Sequence, residues 1–392
     1  MNKFGFDKST DRRNTFSYKW DVLDGELPMW VADMDFETAP CVKEALVKRA
    51  EHGIFGYAVT PDEFFLAFSD FFAARHGYRP SPEDMIFSTG VVASISSAVR
   101  KLTTPAESVA LLTPVYNIFY NSILNNGRRV SECELVYENG EYSIDFSALE
   151  RTLSDPQCSL FILCNPHNPV GKIWSRDELS RIGELCVKYG VTVISDEIHC
   201  SITDPQCESY TPFASVNEKC RDISVTLVSA TKTFNIAGLQ CSVAIAKNPV
   251  LHHKMWRALN TDECAEPNAF AVPAVVAALN DGREWLDELL LYLFENRRLA
   301  EEFVGKIEGL TPVRAEATYL LWIDARAVSK SSDELVDFLR KETGLILCPG
   351  SEYGHGGDGF LRMNLATDRS RLLDGLERLE RGIALFRGKK TT

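Results

Sequence analysis

Short runs of consecutive apolar residues recur along the chain, and segments with helical spacing of their apolar positions separate them. The clearest runs open the stretches 159–171, 191–200 and 225–240. Continuous apolar runs of this length are typical of strands that are buried on both faces. Residues 177–189 have the spacing of an amphipathic helix and connect the first two runs. This strand–helix–strand alternation predicts an α/β fold with a parallel, doubly wound sheet.

The same pattern divides the chain into three parts. Residues 1–45 are irregular and predict an N-terminal arm that forms part of a small domain. Residues 46–284 predict a large domain around the parallel sheet, and residues 285–392 predict a smaller α+β domain. The smaller domain is expected to contain a strand, a helix and a second strand, at residues 319–323, 332–342 and 359–367.

The composition excludes several classes of protein. Hydrophobic residues make up 45% of the chain and charged residues 25%, as in ordinary globular proteins. A net charge of −13 argues against nucleic acid or an acidic membrane surface as a partner. No apolar segment is long enough to span a bilayer, and the N-terminus lacks the apolar core of a secretory signal. The 11 cysteines are scattered and form no C-x-x-C pair, so we expect a cytoplasmic protein without a metal site.

One predicted strand ends in a lysine. Lys232 lies on a turn of small residues just after the run that opens 225–240, with Ser229 and Thr231 beside it. A lysine that is partly desolvated has a lowered pKa, and its amine can attack an aldehyde. Taken alone, Lys232 would more often be an ordinary surface lysine.

The other two strands also end in polar residues. Asp196 and Glu197 close one of them and are followed by His199. Carboxylates at such strand ends point into the ligand crevice of an open α/β sheet, although an acid there more commonly caps a helix. The remaining strand runs into the sequence Asn-Pro-His-Asn-Pro, a rigid turn that can aim the Asn168 amide into the same crevice.

In this order, the motifs Asn-Pro-x-Asn-Pro-x-Gly, Asp-Glu-x-His and Ser-x-x-Lys resemble the fold-type I enzymes that use pyridoxal 5′-phosphate (PLP), the aspartate aminotransferase superfamily. The ordered set is specific, and the resemblance covers essentially the whole chain. The stretches LPMWVADMDF (27–36) and KTFNIAGLQ (232–240) look like the MalY/PatB group of carbon–sulfur β-lyases, often called cystathionine β-lyases. The resemblance implies a large PLP-binding domain with a mostly parallel sheet flanked by helices, plus a smaller α+β domain.

The resemblance also implies a role for each of these polar residues. Lys232 would bind PLP covalently and later act as the general base on the substrate. Asp196 would keep the pyridine nitrogen of PLP protonated. Asn168 would donate a hydrogen bond to the phenolate oxygen of the ring, and Ser229 and Thr231 would contact the phosphate.

Other implied cofactor contacts lie earlier in the chain. A turn opens onto a predicted helix, whose first amides would seat the phosphate at Gly90, Val91 and Val92; an ordinary capped connection is the alternative. Tyr116 would stack on the ring, with core packing as its alternative. Tyr57 would cross a homodimer interface to the neighbour's phosphate, so that the active site is shared, or would pack against the adjacent helix. We count both tyrosines among the catalytic residues.

Substrate contacts are implied at both ends of the chain. Arg362 lies in an otherwise apolar strand and needs a partner there. In the family this residue grips the α-carboxylate of the substrate with its planar guanidinium, whereas an internal salt bridge is the alternative. Val31 and Ala32 would lie beside the substrate, and Asp33 and Asp35 are expected to be structural.

The implied activity is β-elimination from cysteine thioethers such as cystathionine, which releases a thiol, pyruvate and ammonia. Transamination shares the first steps, so a PLP-dependent aminotransferase is an alternative, and a PLP-binding regulatory protein without turnover is another. Gln240 occupies a position where many aminotransferases carry an arginine that pairs with the phosphate. The MalY/PatB group also has glutamine there, which favours the lyase. His199, packed under the cofactor or simply structural, is left out of catalysis.

Overall fold

The structure is a computed structural model that describes residues 3–207 and 210–391. Its strands are β1 (Leu27–Pro28), β2 (Met85–Ser88), β3 (Ser108–Thr113), β4 (Arg129–Glu134), β5 (Val136–Glu138), β6 (Glu141–Ser143), β7 (Cys158–Cys164), β8 (Thr192–Asp196), β9 (Ser224–Val228), β10 (Ser242–Ile245), β11 (Thr311–Pro312), β12 (Leu320–Asp324), β13 (Leu345–Ile346), β14 (Cys348–Pro349) and β15 (Phe360–Asn364). Its helices are α1 (Pro40–Glu51), α2 (Asp62–His76), α3 (Val91–Leu102), α4 (Ile118–Leu124), α5 (Phe146–Leu153), α6 (Arg176–Tyr189), α7 (Glu218–Asp222), α8 (Ala230–Thr233), α9 (Pro249–Thr261), α10 (Ala271–Asp281), α11 (Arg283–Val304), α12 (Ser332–Thr343) and α13 (Arg369–Thr391).

A seven-stranded sheet forms the centre of the molecule, in the order β2-β10-β9-β8-β7-β3-β4. Strand β10 runs antiparallel to both of its neighbours, and the strands from β9 to β4 are parallel. The predicted mostly parallel sheet is therefore confirmed.

Helices cover both faces of this sheet, which explains the unbroken apolar runs. In β7, Leu160 and Ile162 pack in the same core as residues of α3, α4 and α9. Phe161 and Leu163 face the other way, into a core shared with α5 and α6. A strand that buries both sets of side chains needs apolar residues at every position.

The strand order places a crevice at one edge of the sheet. From β3 the chain moves outward to β4, whereas from β7 it moves in the opposite direction to β8. Ligands bind outside the carboxyl ends of strands at such a switch point. Tyr116 follows β3 and Asn168 follows β7, so the two residues border this crevice.

A second, four-stranded antiparallel sheet has the order β11-β12-β15-β14 and carries Arg362 opposite Trp322. Its strands β12 and β15 confirm the two strands predicted in the C-terminal part. Strand β1 of the N-terminal arm pairs in parallel with β13, which brings the arm against this region. Helix α11 begins at Arg283, and the division of the chain after residues 45 and 284 stays a prediction.

Candidate active site

A cavity of about 210 Å³ lies beyond the carboxyl ends of β7, β8 and β9. Asn168, Asp196 and Lys232 follow or end these strands, and all three side chains line the cavity. The residues that the three separate motifs predict for one site are therefore brought together. Because parallel strands present their carboxyl ends at one edge, the sheet itself produces this convergence.

The opposite wall is the N-terminus of α3. Gly90 precedes the helix without any side-chain cap, and with Val91 and Val92 it lines the cavity. The first amides of a helix have no partner within the helix, and they carry the positive end of its dipole. This wall, with Thr231 beside it, can accept an anionic group.

Lys232 is fixed by the short helix α8. Ser229 caps this helix, because its Oγ accepts from the backbone amide of Thr231 at 3.0 Å. The Lys232 Nζ donates to the Ala32 carbonyl at 2.6 Å. Burial lowers the pKa of Lys232 to about 8, although the nearby Asp33 carboxylate raises it. With this pKa about a tenth of the amine is unprotonated at pH 7, and this form can act as a nucleophile or a base.

Asp196 is a buried acid at the end of β8. Burial raises its pKa to about 7, against the opposing hydrogen bond from the Ile198 amide at 3.1 Å. Within the described part of the chain it forms no salt bridge. A cationic N–H group entering the cavity would hold this carboxylate in its charged form.

Arg362 is buried beside the cavity. Its Nη1 donates to the Asn168 Oδ1 at 3.3 Å, and its Nη2 donates to the Trp30 carbonyl at 3.0 Å. Its Nε has no hydrogen-bond partner, and no carboxylate pairs with it in residues 3–207 or 210–391. The alternative of an internal salt bridge is therefore not seen among the described residues.

Tyr116 and Ser229 lie near the site, and both also contact other parts of the protein. Tyr116 lines the cavity and also packs edge-on against Phe119, with 5.6 Å between the ring centroids. The packing alternative is therefore seen, and stacking on the PLP ring stays a prediction. The Ser229 Oγ donates to the Cys241 carbonyl at 2.6 Å and lies behind Thr231 rather than on the cavity wall.

Four predicted site residues do not line the cavity in the single chain: Ser229, Arg362, Tyr57 and Val31. Tyr57 is fully exposed, so the structure does not show its alternative role of packing against the adjacent helix. Val31 lies behind Ala32, and its carbonyl accepts from the Asn364 Nδ2 at 2.5 Å. Only Ala32 of this pair lines the cavity.

His199 also lines the cavity, three positions after Asp196. Burial, with Lys232 and Arg362 adding to it, lowers the pKa of His199 to about 3, so the imidazole is neutral. Its Nδ1 is buried and has no hydrogen-bond partner among the described residues. This atom is therefore free to contact a bound group.

The sequence motifs assign no role in the site to Tyr319 or Asn364, and Gln240 serves only in the comparison with aminotransferases. The Tyr319 Oη donates to the same Ala32 carbonyl as Lys232, at 3.0 Å, and Asn364 holds the loop that carries this carbonyl. Gln240 lines the cavity with a left-handed backbone, φ 50°. Non-glycine residues with this conformation are uncommon and cluster at functional sites, but the conformation itself is visible only in the structure.

Residues 27–379 match the family described as aminotransferase class I and II. The chain belongs to this family. It is 43% identical over 387 residues to cystathionine beta-lyase PatB from Bacillus subtilis, covering 97% of this chain and 100% of that protein. It is 33% identical to protein MalY from Escherichia coli, covering 98% of this chain and 100% of that protein.

The crystal structure of cystalysin from Treponema denticola, which contains PLP, superposes with a TM-score of 0.94. The two chains are 31% identical, and the match covers 97% of this chain and 99% of cystalysin. The predicted fold-type I family, its MalY/PatB group and the cofactor PLP are therefore confirmed. The cavity fits this cofactor, because it offers an amine, an unpaired acid and a helix N-terminus to one enclosed space.

Proposed function

We propose that this protein is a PLP-dependent carbon–sulfur β-lyase that cleaves cysteine thioethers such as cystathionine to a thiol, pyruvate and ammonia. The observation that carries this proposal is the buried Arg362, which has no carboxylate partner among the described residues and lies beside Lys232 and Asp196. A buried guanidinium without an anion is suited to the α-carboxylate of an amino acid. The β-lyase relatives support the choice of reaction.

When bound, PLP supplies an aldehyde for an amine and a ring that withdraws electrons from the substrate Cα. Lys232 would hold the aldehyde, and the Asp196 carboxylate would accept the pyridinium N–H. The amides of Gly90, Val91 and Val92, with Thr231 nearby and Ser229 behind it, would hold the phosphate. Tyr116 would lie against the ring face.

The chain's own groups then handle the substrate. Arg362 would bind the α-carboxylate, assisted by Asn168, and so would fix the direction of the Cα–H bond. The Lys232 amine, released from the cofactor, would take the Cα proton, which its pKa of about 8 allows. The Cβ–S bond breaks with its electron pair leaving on sulfur, and the three-carbon remainder takes up water to give pyruvate and ammonia.

We also propose a homodimer in which Tyr57 of each chain completes the site of the other. The loop before α2 exposes Ile54, Phe55, Tyr57 and Val59, and an apolar surface of this kind is typical of a protein interface. A mixture of Lys232→Ala and Tyr57→Ala chains tests this. Random pairing would restore about one quarter of the wild-type activity, because half of the dimers then hold one intact site. Activity no higher than that of the separate variants contradicts the shared site.

The central test uses the PLP-loaded protein with L-cystathionine and no keto acid. We expect equal release of thiol, pyruvate and ammonia, and none from Lys232→Ala. Amino-group transfer that appears only with 2-oxoglutarate would identify an aminotransferase instead. A protein that binds PLP and is silent in both assays would be the regulatory alternative.

We place the protein in the cytoplasm as part of this proposal. All 11 cysteines are free, and most of them are buried, which suits a reducing compartment. None of the helices in the described part of the chain is long and apolar enough to cross a membrane.

A further inference from the structure

A group of paired charges, two of them buried and two partly exposed, lies in the N-terminal arm, outside the cavity wall. We call Arg12, Lys19, Asp33 and Asp35 the arm cluster. The Arg12 Nη2 lies 2.7 Å from the Asp33 Oδ2, and its Nη1 lies 2.9 Å from the Asp35 Oδ1. The Lys19 Nζ lies 3.1 Å from the Asp35 Oδ2, and both of these side chains are almost completely buried. Buried charges are retained only where they are paired in this way.

The arm cluster also holds the backbone of the loop around residue 32. The Arg12 Nη1 donates to the Met34 carbonyl at 3.0 Å, and the Lys19 Nζ donates to the Asp33 carbonyl at 3.4 Å. From the C-terminal sheet, Asn364 donates to the Asp33 carbonyl at 2.7 Å. The loop is therefore fixed from two sides.

The one carbonyl of this loop that meets the reactive lysine is that of Ala32. It accepts from the Lys232 Nζ at 2.6 Å and from the Tyr319 Oη at 3.0 Å. Burial raises the pKa of Tyr319 well above its usual value, so the phenol stays protonated and remains a donor. The Ala32 carbonyl thus has two donors, which fix its position relative to the amine.

We propose that the arm cluster positions Lys232: it holds the Ala32 carbonyl as the acceptor that keeps the lysine amine in place whenever the amine is not bonded to the cofactor. This inference rests on the proposed function, because it takes Lys232 as the residue that binds PLP and removes the Cα proton. Arg12, Lys19, Asp33 and Asp35 are positioning residues and do not touch the reacting atoms.

The arm cluster also brings charge to the amine. The groups that face Lys232 are Asp33 from the arm, Asp196 and His199 from the end of β8, Arg362 from β15, Tyr319 before β12 and Tyr116 after β3. Of the two acids, only Asp33 belongs to the arm cluster. Its negative charge favours the protonated amine, and its pairing with Arg12 moderates that effect.

The test measures the pKa of Lys232 in the full-length chain after PLP has been removed. Competitive acetylation across a pH series, read by mass spectrometry of the Lys232 peptide, gives this value. The variant Asp33→Asn keeps the shape of the side chain and one acceptor oxygen but removes its negative charge. We therefore expect the pKa of Lys232 to fall by about one unit. Glu37→Gln is the matched control: it removes a charge from the same loop, but Glu37 is exposed and pairs with Lys43.

Arg12 provides the second variant. Arg12→Met removes both the counter-charge of Asp33 and the clamp on the loop, so we expect the pKa of Lys232 to rise, opposite to the shift in Asp33→Asn. After reloading with PLP, kcat should fall by about tenfold with KM within about twofold, because the amine rather than the carboxylate site is displaced. Arg12→Lys should recover part of both effects, since it restores charge without the fork.

An unchanged pKa of Lys232 in both Asp33→Asn and Arg12→Met, equal to that in Glu37→Gln, together with an unchanged kcat in Arg12→Met, would overturn the inference. Failure of the proposed function has a different signature. If borohydride reduction of the PLP-loaded wild-type protein did not attach the cofactor to Lys232, the proposed function would fail. Attachment to Lys232 together with these unchanged values would refute the positioning role alone.

Discussion

The arm cluster and the cavity each contain a buried aspartate, and the charge of this aspartate is treated in opposite ways in the two regions. In the arm cluster, burial alone would raise the pKa of Asp35, but Lys19, Trp20 and Arg12 outweigh it and hold the pKa below its usual value. In the cavity, burial dominates and raises the pKa of Asp196 to about 7. The two side chains are buried to a similar extent and differ in their partners.

The same contrast separates the buried cations. Lys19 lies against a carboxylate, whereas Lys232 donates to a neutral carbonyl. Arg12 forms salt bridges to two carboxylates, whereas Arg362 donates hydrogen bonds to the side-chain amide oxygen of Asn168 and to a backbone carbonyl. Because an unpaired buried charge is costly, these residues of the cavity region are suited to a ligand that supplies the missing partner. In the two regions compared, paired charges hold the arm, and unpaired charges lie at the cavity.

The largest effect is expected from removing the unpaired lysine. Lys232→Ala should lower the rate of pyruvate release from L-cystathionine by about 10⁴-fold or more, because both the attachment point of PLP and the base are lost. Steady-state assays and the absorption band of the bound cofactor check this together. Turnover retained within tenfold would show that Lys232 is not the reactive lysine.

The next largest effect concerns stability. Lys19→Met leaves Asp35 with less compensation for its burial, so the free energy of unfolding should fall by about 3–5 kcal/mol in urea titrations. Lys43→Met removes the exposed partner of Glu37 and should change it by no more than about 0.5 kcal/mol. Equal losses in the two variants would contradict the scaffold role of the paired charges.

The third prediction concerns Arg362, the unpaired arginine beside the cavity. Arg362→Met should raise KM for L-cystathionine by about 10- to 100-fold, since charge-assisted hydrogen bonds to the α-carboxylate are lost. Arg314→Met, which breaks only an exposed pair with Glu141, serves as the control. A KM that is unchanged in Arg362→Met would mean that the substrate carboxylate binds elsewhere.

The pH dependence of stability is expected to give the smallest change per pH unit, and the two aspartates should give it opposite signs. In the PLP-free protein the folded state retains the Asp196 proton that the unfolded state loses, between pH 3.8 and about 7. The stability of the wild type relative to Asp196→Asn should therefore decrease with rising pH in this window, by up to about 1.4 kcal/mol per pH unit.

For Asp35 the folded pKa is lowered, so the sign reverses. The stability of the wild type relative to Asp35→Asn should be present above the unfolded pKa of 3.8 and should be lost as the pH falls through the lower folded value. Denaturant unfolding at a series of pH values measures both differences. If the stability of the wild type relative to each variant changed with pH in the same direction, the distinction between paired and unpaired acids would be contradicted.

Much of the site could be predicted because its residues follow strands within short motifs. Lys232, Asp196 and Asn168 each come directly after an apolar run, and a parallel sheet brings such positions to one edge. Tyr319 and Asn364 could not be found in this way, because they reach the Ala32 loop from the C-terminal sheet. Tyr57 is a candidate through the family resemblance, and its role stays a proposal about a second chain.

The sequence by itself determined the α/β fold, the family and the set of reactive side chains, since these depend on local periodicity and on residue types at short spacings. Only the tertiary structure decided which buried charges are paired. Asp33 and Asp35 are expected from the sequence to be structural, yet their partners Arg12 and Lys19 also hold the loop that carries the Ala32 carbonyl. The physical reason is that the pairing of a charge depends on long-range contacts, and these form only when the arm, the sheet edge and the C-terminal strands pack together.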